Sequence, residues 1–168
     1  MADPRLTPDR PLFFYDLGSP WCWLAAEEVG GGPEWVPVAL EPPGNVDRRA
    51  LEEAAPMPVV WPEPFPFDSR LAMLAATFAK ETGRAVAFSL AAFRQAFMAG
   101  RDLSEVDNVL IAAAACELHP RAVLKALESD RVAEALDAAT ERARSLGVTE
   151  LPAWLGPDPP ANVHLAPL

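Results

Sequence analysis

The sequence predicts an α/β protein in which a long helical stretch interrupts a small sheet. Three observations carry this reading. An apolar run at residues 11–16 turns into a helical pattern through Ser19-Pro20-Trp21-Cys22, and a second apolar run follows at residues 35–40. A β-α-β unit of that size implies a right-handed crossover between two parallel strands. From residue 68 to 147 the pattern is helical almost throughout, before one more short apolar run that begins at Pro152.

The elements follow in order. Residues 1–10 are a polar arm. Residues 11–16, with consecutive large apolar and aromatic side chains, read as a buried strand, and Asp16 and Gly18 form the turn after it. Helix one is expected from Pro20 to about Val29, stopped by Gly30-Gly31-Gly32. In the second strand Pro37 suits a sheet edge, because it has no N–H to donate. Residues 41–67 are studded with proline. A short helix fits residues 46–54, and Pro56, Pro58, Pro62, Pro64 and Pro66 then hold the chain extended. Trp61, Phe65 and Phe67 can pin this arm to the core or line a pocket with it.

Asp68 or Ser69 is expected to cap a helix that ends near Gly83. A second helix is placed over residues 88–99, ended by Gly100. Ser104 with Asp107 has the spacing of a capping box, and the nearly all-apolar helix beyond, residues 109–117, is expected to be central. His119-Pro120 opens a short helix to about Glu128, and Asp130 caps the last one, which runs to Leu146. Pro152, just ahead of a short strand, removes a ladder donor, which is tolerated where a cis bond turns the chain tightly. Residues 163–165 leave room for one more short strand.

Composition narrows the function. Hydrophobic residues make up 51% of the 168, enough for one sizeable core. Lys and Arg number 14 against 24 Asp and Glu, a net charge of −10. That balance argues against nucleic acid and anionic membrane surfaces as partners. The polar start and the lack of a long apolar run predict a cytoplasmic protein. The two cysteines, Cys22 and Cys116, make a structural disulfide improbable in a reducing compartment. With two dispersed histidines they form no metal motif.

A strand that turns into a helix through X-Pro-X-Cys is how thioredoxin-like proteins present their reactive group. Phe14-Tyr15-Asp16-Leu17-Gly18-Ser19-Pro20-Trp21-Cys22, Phe67-Asp68-Ser69-Arg70, the stretch from Phe88 to Gly100-Arg101-Asp102-Leu103-Ser104, and Gly147-Val148 to Leu151-Pro152 occur in the order of the DsbA-like superfamily. Over roughly residues 11–156 the chain resembles that superfamily. Its branches include DsbA and FrnE-type oxidoreductases, kappa-class glutathione transferases and 2-hydroxychromene-2-carboxylate isomerases. The resemblance implies a thioredoxin-like fold with an inserted all-helical subdomain. Residues 1–45 and 148–168 would form the thioredoxin-like domain, and residues 46–147 the proline-rich arm and helical insertion. Leu151-Pro152 would be the cis-proline beside the active site.

The resemblance also implies the chemistry. In disulfide-exchanging relatives the first motif position is a nucleophilic cysteine, whereas here it is Ser19. In the transferase and isomerase branches that position is serine, bonded to the glutathione sulfur. Cys22 occupies the place of the resolving cysteine. A serine hydroxyl does not ionise near neutral pH, so it cannot replace a thiolate in exchange. It can donate a hydrogen bond to a thiolate. With the helix N-terminus, that bond is worth about 1.4–3 kcal/mol. At about 1.36 kcal/mol per pKa unit, a thiol of about 8.5–9 then moves toward 7. Ser19 can equally be a plain helix cap with Pro20 at the first helical position.

Ser19 and Cys22 are therefore the candidate catalytic residues. Pro20, Trp21, Asp68, Arg70, Leu151 and Pro152 are the candidate substrate-binding residues, and no metal is expected. Asp68 stands where the isomerase branch has an Asn at its substrate pocket, and it can equally cap its helix. Arg70 can bind a carboxylate. Cys116 reads as a core thiol. Gly156-Pro157-Asp158-Pro159 stands where glutathione-binding relatives carry Gly-x-Asp-Arg. The expected activity is that of a DsbA-family thiol–disulfide or glutathione-dependent oxidoreductase. The alternatives are a glutathione-dependent isomerase or kappa-like transferase, and a degenerate binding scaffold. Glutathione is the expected cofactor, a small thiol, an electrophile or an extended peptide the partner, and a homodimer is compatible with the family.

Overall fold

The computed structural model describes residues 8–41, 45–166 and 168. The element order is β1 (Leu12–Tyr15), α1 (Pro20–Val29), β2 (Glu34–Pro37), α2 (Arg48–Ala54), α3 (Arg70–Glu81), α4 (Ala85–Phe97), α5 (Val106–Ala115), α6 (Pro120–Leu127), α7 (Asp130–Ser145) and β3 (Ala153–Leu155). The sheet runs β2-β1-β3, with β1 parallel to β2 and antiparallel to β3.

All four residues of β1 are buried, which is why its sequence is apolar without alternation. Phe13 and Tyr15 point to one face, where they meet Trp35, Trp23, Phe88, Phe93 and Phe97 in the main core. Leu12 and Phe14 point to the other, with Val36, Val38, Ala153 and Ala143 of α7. Tyr15 stacks on Phe13 at 5.6 Å and meets Trp35 edge-on at 5.4 Å. Its hydroxyl shares a 2.6 Å hydrogen bond with Ser89 of α4, which satisfies both buried groups.

Ion pairs tie the helices to this centre. Arg94 of α4 grips Glu27 of α1 through two bonds of 2.9 and 2.8 Å. Lys80 of α3 meets Glu34 of β2 at 2.6 Å. The chain beyond β2 is held to α7 by the Ala39 N–H, which donates to Thr140 Oγ1 at 2.9 Å.

Several expected boundaries move. The β2 ladder ends at Pro37, on the sheet edge where a missing N–H does least harm. Helix α4 starts at Ala85, three residues before Phe88, without a side-chain cap; the Arg84 N–H instead donates to the Ala79 carbonyl. The capping box does not form: Asp102 takes the Ser104 N–H at 2.8 Å, and α5 begins after Glu105. Helix α5 is also less central than its composition suggests, since it buries Val109, Ala112 and Ala113 but leaves Ile111 40% exposed. Ser129, not Asp130, caps α7, with its hydroxyl accepting the Val132 N–H. Residues 163–165 form no strand.

Candidate functional site

The turn from β1 into α1 finds partners for the Leu17, Gly18 and Ser19 amides. The Gly18 N–H donates to Asp16 Oδ1 at 2.7 Å, and the Ser19 N–H to the Asp16 carbonyl at 3.1 Å. The Leu17 N–H donates to the Met73 sulfur of α3 at 3.2 Å. A Cβ at Gly18 would lie 3.1 Å from Ser69 Cβ and 3.3 Å from Asp16 Oδ1, so a side chain there would press on both. The start of α3 thus presses directly on this turn.

Ser19 caps α1 with an extended backbone, and its Oγ accepts the Cys22 N–H at 3.2 Å. Pro20 takes the first helical position, where its missing N–H costs nothing. Ser19 is only 3% exposed, and its hydroxyl faces the Cys22 thiol as well as the Cys22 N–H. Cys22 is fully buried. Burial pushes its thiol up to about 12, against the smaller downward pull of the neighbouring Ser19 hydroxyl. The helix N-terminus therefore does not make Cys22 a reactive thiol. Cys116 is also a free, buried cysteine; its Sγ lies 3.3 Å from the Ala113 carbonyl oxygen.

Beside the turn lies a cavity of about 600 Å³. Asp16 and Gly18 contribute from the turn, Arg48 from α2, Phe65 and Phe67 from the proline-rich arm, and Asp68, Ser69 and Arg70 from the start of α3. The arm is held by its aromatics: Trp61, Phe65 and Phe67 all contact the ring of Phe97, at 6.3, 6.0 and 6.4 Å. The two readings of the arm, pinned loop and pocket wall, both hold.

The cavity carries distinct charges. Burial raises the Asp16 carboxyl above its ordinary range, although the Gly18 N–H and the Ser69 hydroxyl pull it back, and the charge of Asp68 adds to the rise. Asp68 Oδ1 accepts the Arg70 N–H at 2.9 Å, so Asp68 serves the α3 start while facing the cavity. Arg70 reaches Asp137 of α7 at 3.2 Å. The Arg48 guanidinium sits over the rings of Trp61 and Phe65, at 4.9 and 5.6 Å, and points to the Phe65 carbonyl.

Of the residues singled out in the sequence, Asp68 and Arg70 line this cavity together with Gly18, the neighbour of Ser19. Trp21 faces elsewhere, with its ring 5.2 Å from that of His164. Leu151 packs against both cores, and its bond to Pro152 is cis. Asp16 and Arg48 were not anticipated as cavity residues. An Asp two residues before a Gly reads as a turn, and nothing local signals that its carboxyl also lines a void. Among the described residues no three His, Cys, Asp or Glu side chains converge to hold a metal, and no helix is long and apolar enough to cross a membrane.

The family model of the DSBA-like thioredoxin domain matches residues 34–155. The chain belongs to this family. The match starts at β2, so Ser19 and Cys22 lie outside it, and the α/β fold around them is the thioredoxin-like fold of the DsbA-like proteins. Solved structures share the fold over most of the chain. A 2-hydroxychromene-2-carboxylate isomerase superposes with a TM-score of 0.74 at 18% identity, over 88% of this chain and 86% of its own. A cytosolic disulfide reductase, DsbM from Pseudomonas aeruginosa, solved with GSH, gives 0.64 at 17% identity, over 86% and 84%. DsbA from the same organism gives 0.59 at 12%, over 92% and 73%. No curated protein matches the chain. The DsbA-like chain described here thus shares its architecture with isomerase and oxidoreductase structures.

Proposed function

We propose that this DsbA-like protein is a glutathione-dependent enzyme in which Ser19 steadies a thiolate carried by the ligand, with chemistry of the isomerase or transferase kind. The observation that carries the reading is the contrast between the two motif residues. The Cys22 thiol is buried and held protonated, with a pKa of about 12. The Ser19 hydroxyl stands at the positive end of α1 and would turn its proton from the Cys22 sulfur to an incoming one. A reactive sulfur then has to arrive with the ligand, and glutathione is the abundant source in a cytoplasmic setting.

The cavity next to Gly18 would receive the second, electrophilic substrate. Its walls combine apolar rings from Phe65 and Phe67 with the cations Arg48 and Arg70, and with a raised carboxyl at Asp16. Such a mixture suits a small molecule with an apolar body and a polar end. The GSH in the DsbM structure supports glutathione as a ligand of this fold. Leu151 and Pro152 would border the thiol.

Calorimetric titration of reduced glutathione tests the reading. The unaltered protein is expected to bind, and Ser19→Ala to bind about tenfold more weakly, the value of one charge-assisted hydrogen bond of about 1.4 kcal/mol. The ultraviolet absorbance of the thiolate should appear at lower pH with the unaltered protein than with Ser19→Ala. Absence of glutathione binding by the unaltered protein overturns the proposal.

A further inference from the structure

Among the described residues two carboxyls line the cavity beside the β1–α1 turn, Asp16 and Asp68, and they are held differently. Asp68 is exposed at the start of α3, where its Oδ1 accepts the Arg70 N–H at 2.9 Å. Asp16 is part-buried in the turn, with its Oδ1 accepting the Gly18 N–H at 2.7 Å and the Ser69 hydroxyl beside it. The cations of the cavity turn to other partners. Arg70 reaches Asp137 at 3.2 Å, and Arg48 lies over the Trp61 and Phe65 rings.

Asp16 also belongs to the turn that presents Ser19. Its backbone carbonyl accepts the Ser19 N–H at 3.1 Å. Burial is the main cause that raises the Cys22 thiol, and the charge of Asp16 adds to it, so this carboxyl is felt at the sulfur side of α1. Tyr15, raised chiefly by burial, feels the same charge. Like charges at close range disfavour one another. A thiolate at Ser19 is therefore compatible with a neutral Asp16, and each favours the other. Burial, with the charge of Asp68, already holds the proton on Asp16 to higher pH than on an ordinary carboxyl. One turn thus places an acid between the cavity and the serine.

We propose that Asp16 is the proton donor of the thiol reaction, giving its proton to an electrophile in the cavity as the glutathione sulfur adds. This role rests on the glutathione-dependent reading above. In the addition, a sulfur lone pair forms the C–S bond and the π pair of the attacked bond moves to the far atom, which takes the Asp16 proton. A neutral adduct and an Asp16 carboxylate result. In the reverse direction the carboxylate takes that proton back, the π bond re-forms and the thiolate leaves. Where the adduct is released instead, Asp16 recovers a proton from water. Nothing is oxidised or reduced in either direction.

Two electrophilic probes separate this role from a structural one. Benzylideneacetone has to gain a proton to complete its adduct. Chlorodinitrobenzene does not, because chloride leaves with the electron pair. Asp16→Asn keeps an acceptor for the Gly18 N–H but has no acidic proton. It is expected to lower kcat with benzylideneacetone about a hundredfold, and with chlorodinitrobenzene far less. The benzylideneacetone rate of the unaltered protein at saturating glutathione should fall as pH rises above the ordinary carboxyl range, and the chlorodinitrobenzene rate should show no such fall. Asp68→Asn removes the charge that helps Asp16 keep its proton, so it should move that fall to lower pH. Equal losses with the two probes in Asp16→Asn, a fall shared by both probes, or a fall that Asp68→Asn leaves in place overturns the proposal. So does an unaltered protein that binds glutathione without consuming benzylideneacetone. Calorimetry with glutathione separates the two levels. Binding together with any of those results discards Asp16 as donor and keeps the Ser19 reading, whereas absence of binding discards both.

Discussion

Ser19 and Cys22 stand one helical turn apart and differ in what they can reach. The serine accepts the Cys22 amide, while the cysteine is buried in the main core with Trp23 and the β1 aromatics. Neither Cys22 nor Cys116 is expected to react with iodoacetamide at neutral pH in the native protein. Both should react once denaturant is added, which a mass count of alkyl groups measures. The raised thiol also sets a pH dependence. An exposed cysteine ionises near 9, whereas folded Cys22 holds its proton to about 12. Between these values the folded state binds more protons than the unfolded one, so stability is complete below 9 and falls as pH rises. Denaturation midpoints followed over that interval should drop, and Cys22→Ala should flatten the slope. Tyr15, whose phenol burial also raises, contributes in the same direction. At this scale Ser19 could be read from the sequence, because Ser-Pro before an apolar helical pattern is a cap signature. Arg48 could not, since what makes it a cavity residue is its seat on two rings well separated from it along the chain.

Between elements, the β1–α4 junction depends on one polar contact. Ser89→Ala leaves the Tyr15 hydroxyl buried without a partner and is expected to cost about 1–3 kcal/mol. Tyr15→Phe combined with Ser89→Ala should recover most of that loss, because both polar groups are then gone. Urea denaturation of the two variants beside the unaltered protein reads the difference. Element boundaries were legible where a local signal stood alone. Ser19-Pro20 and His119-Pro120 place the starts of α1 and α6 correctly, and the His119 ring nitrogen accepts the Arg121 N–H at 3.1 Å. Boundaries were lost where two candidates compete. Ser129 and Asp130 can both cap, and the extended backbone at Ser129 decides between them. Around Ser104 the competitor is Asp102, whose carboxylate takes the amide first.

Across the whole molecule, Phe97 gathers what would otherwise be separate parts. Its ring meets Trp23 of α1 at 5.7 Å and the three aromatics of the proline-rich arm. Phe97→Ala is expected to destabilise the protein by about 3–5 kcal/mol, measured by urea denaturation. It should also weaken ligand binding at the cavity, because Phe65 and Phe67 lose their support. The thioredoxin-like plan was readable from the order of strand, turn, helix and strand. How the helices meet was not, since apolar runs rich in alanine say little about which neighbour each face will find. Ile111 shows the consequence: its sequence surroundings suggest burial, and its helix has an open side.

The sheet order places the central strand between the earliest partner and the latest. β2 follows β1 after a single helix, whereas six helices separate β2 from β3. During synthesis at about 5–20 residues per second, the β1–α1–β2 unit leaves the ribosome with one flank of β1 unpaired, and that flank stays open until β3 has been made. An exposed row of strand amides beside Phe13 and Phe14 is a template for pairing with other chains. A nascent chain arrested before β3 should therefore depend on chaperones far more than the finished one.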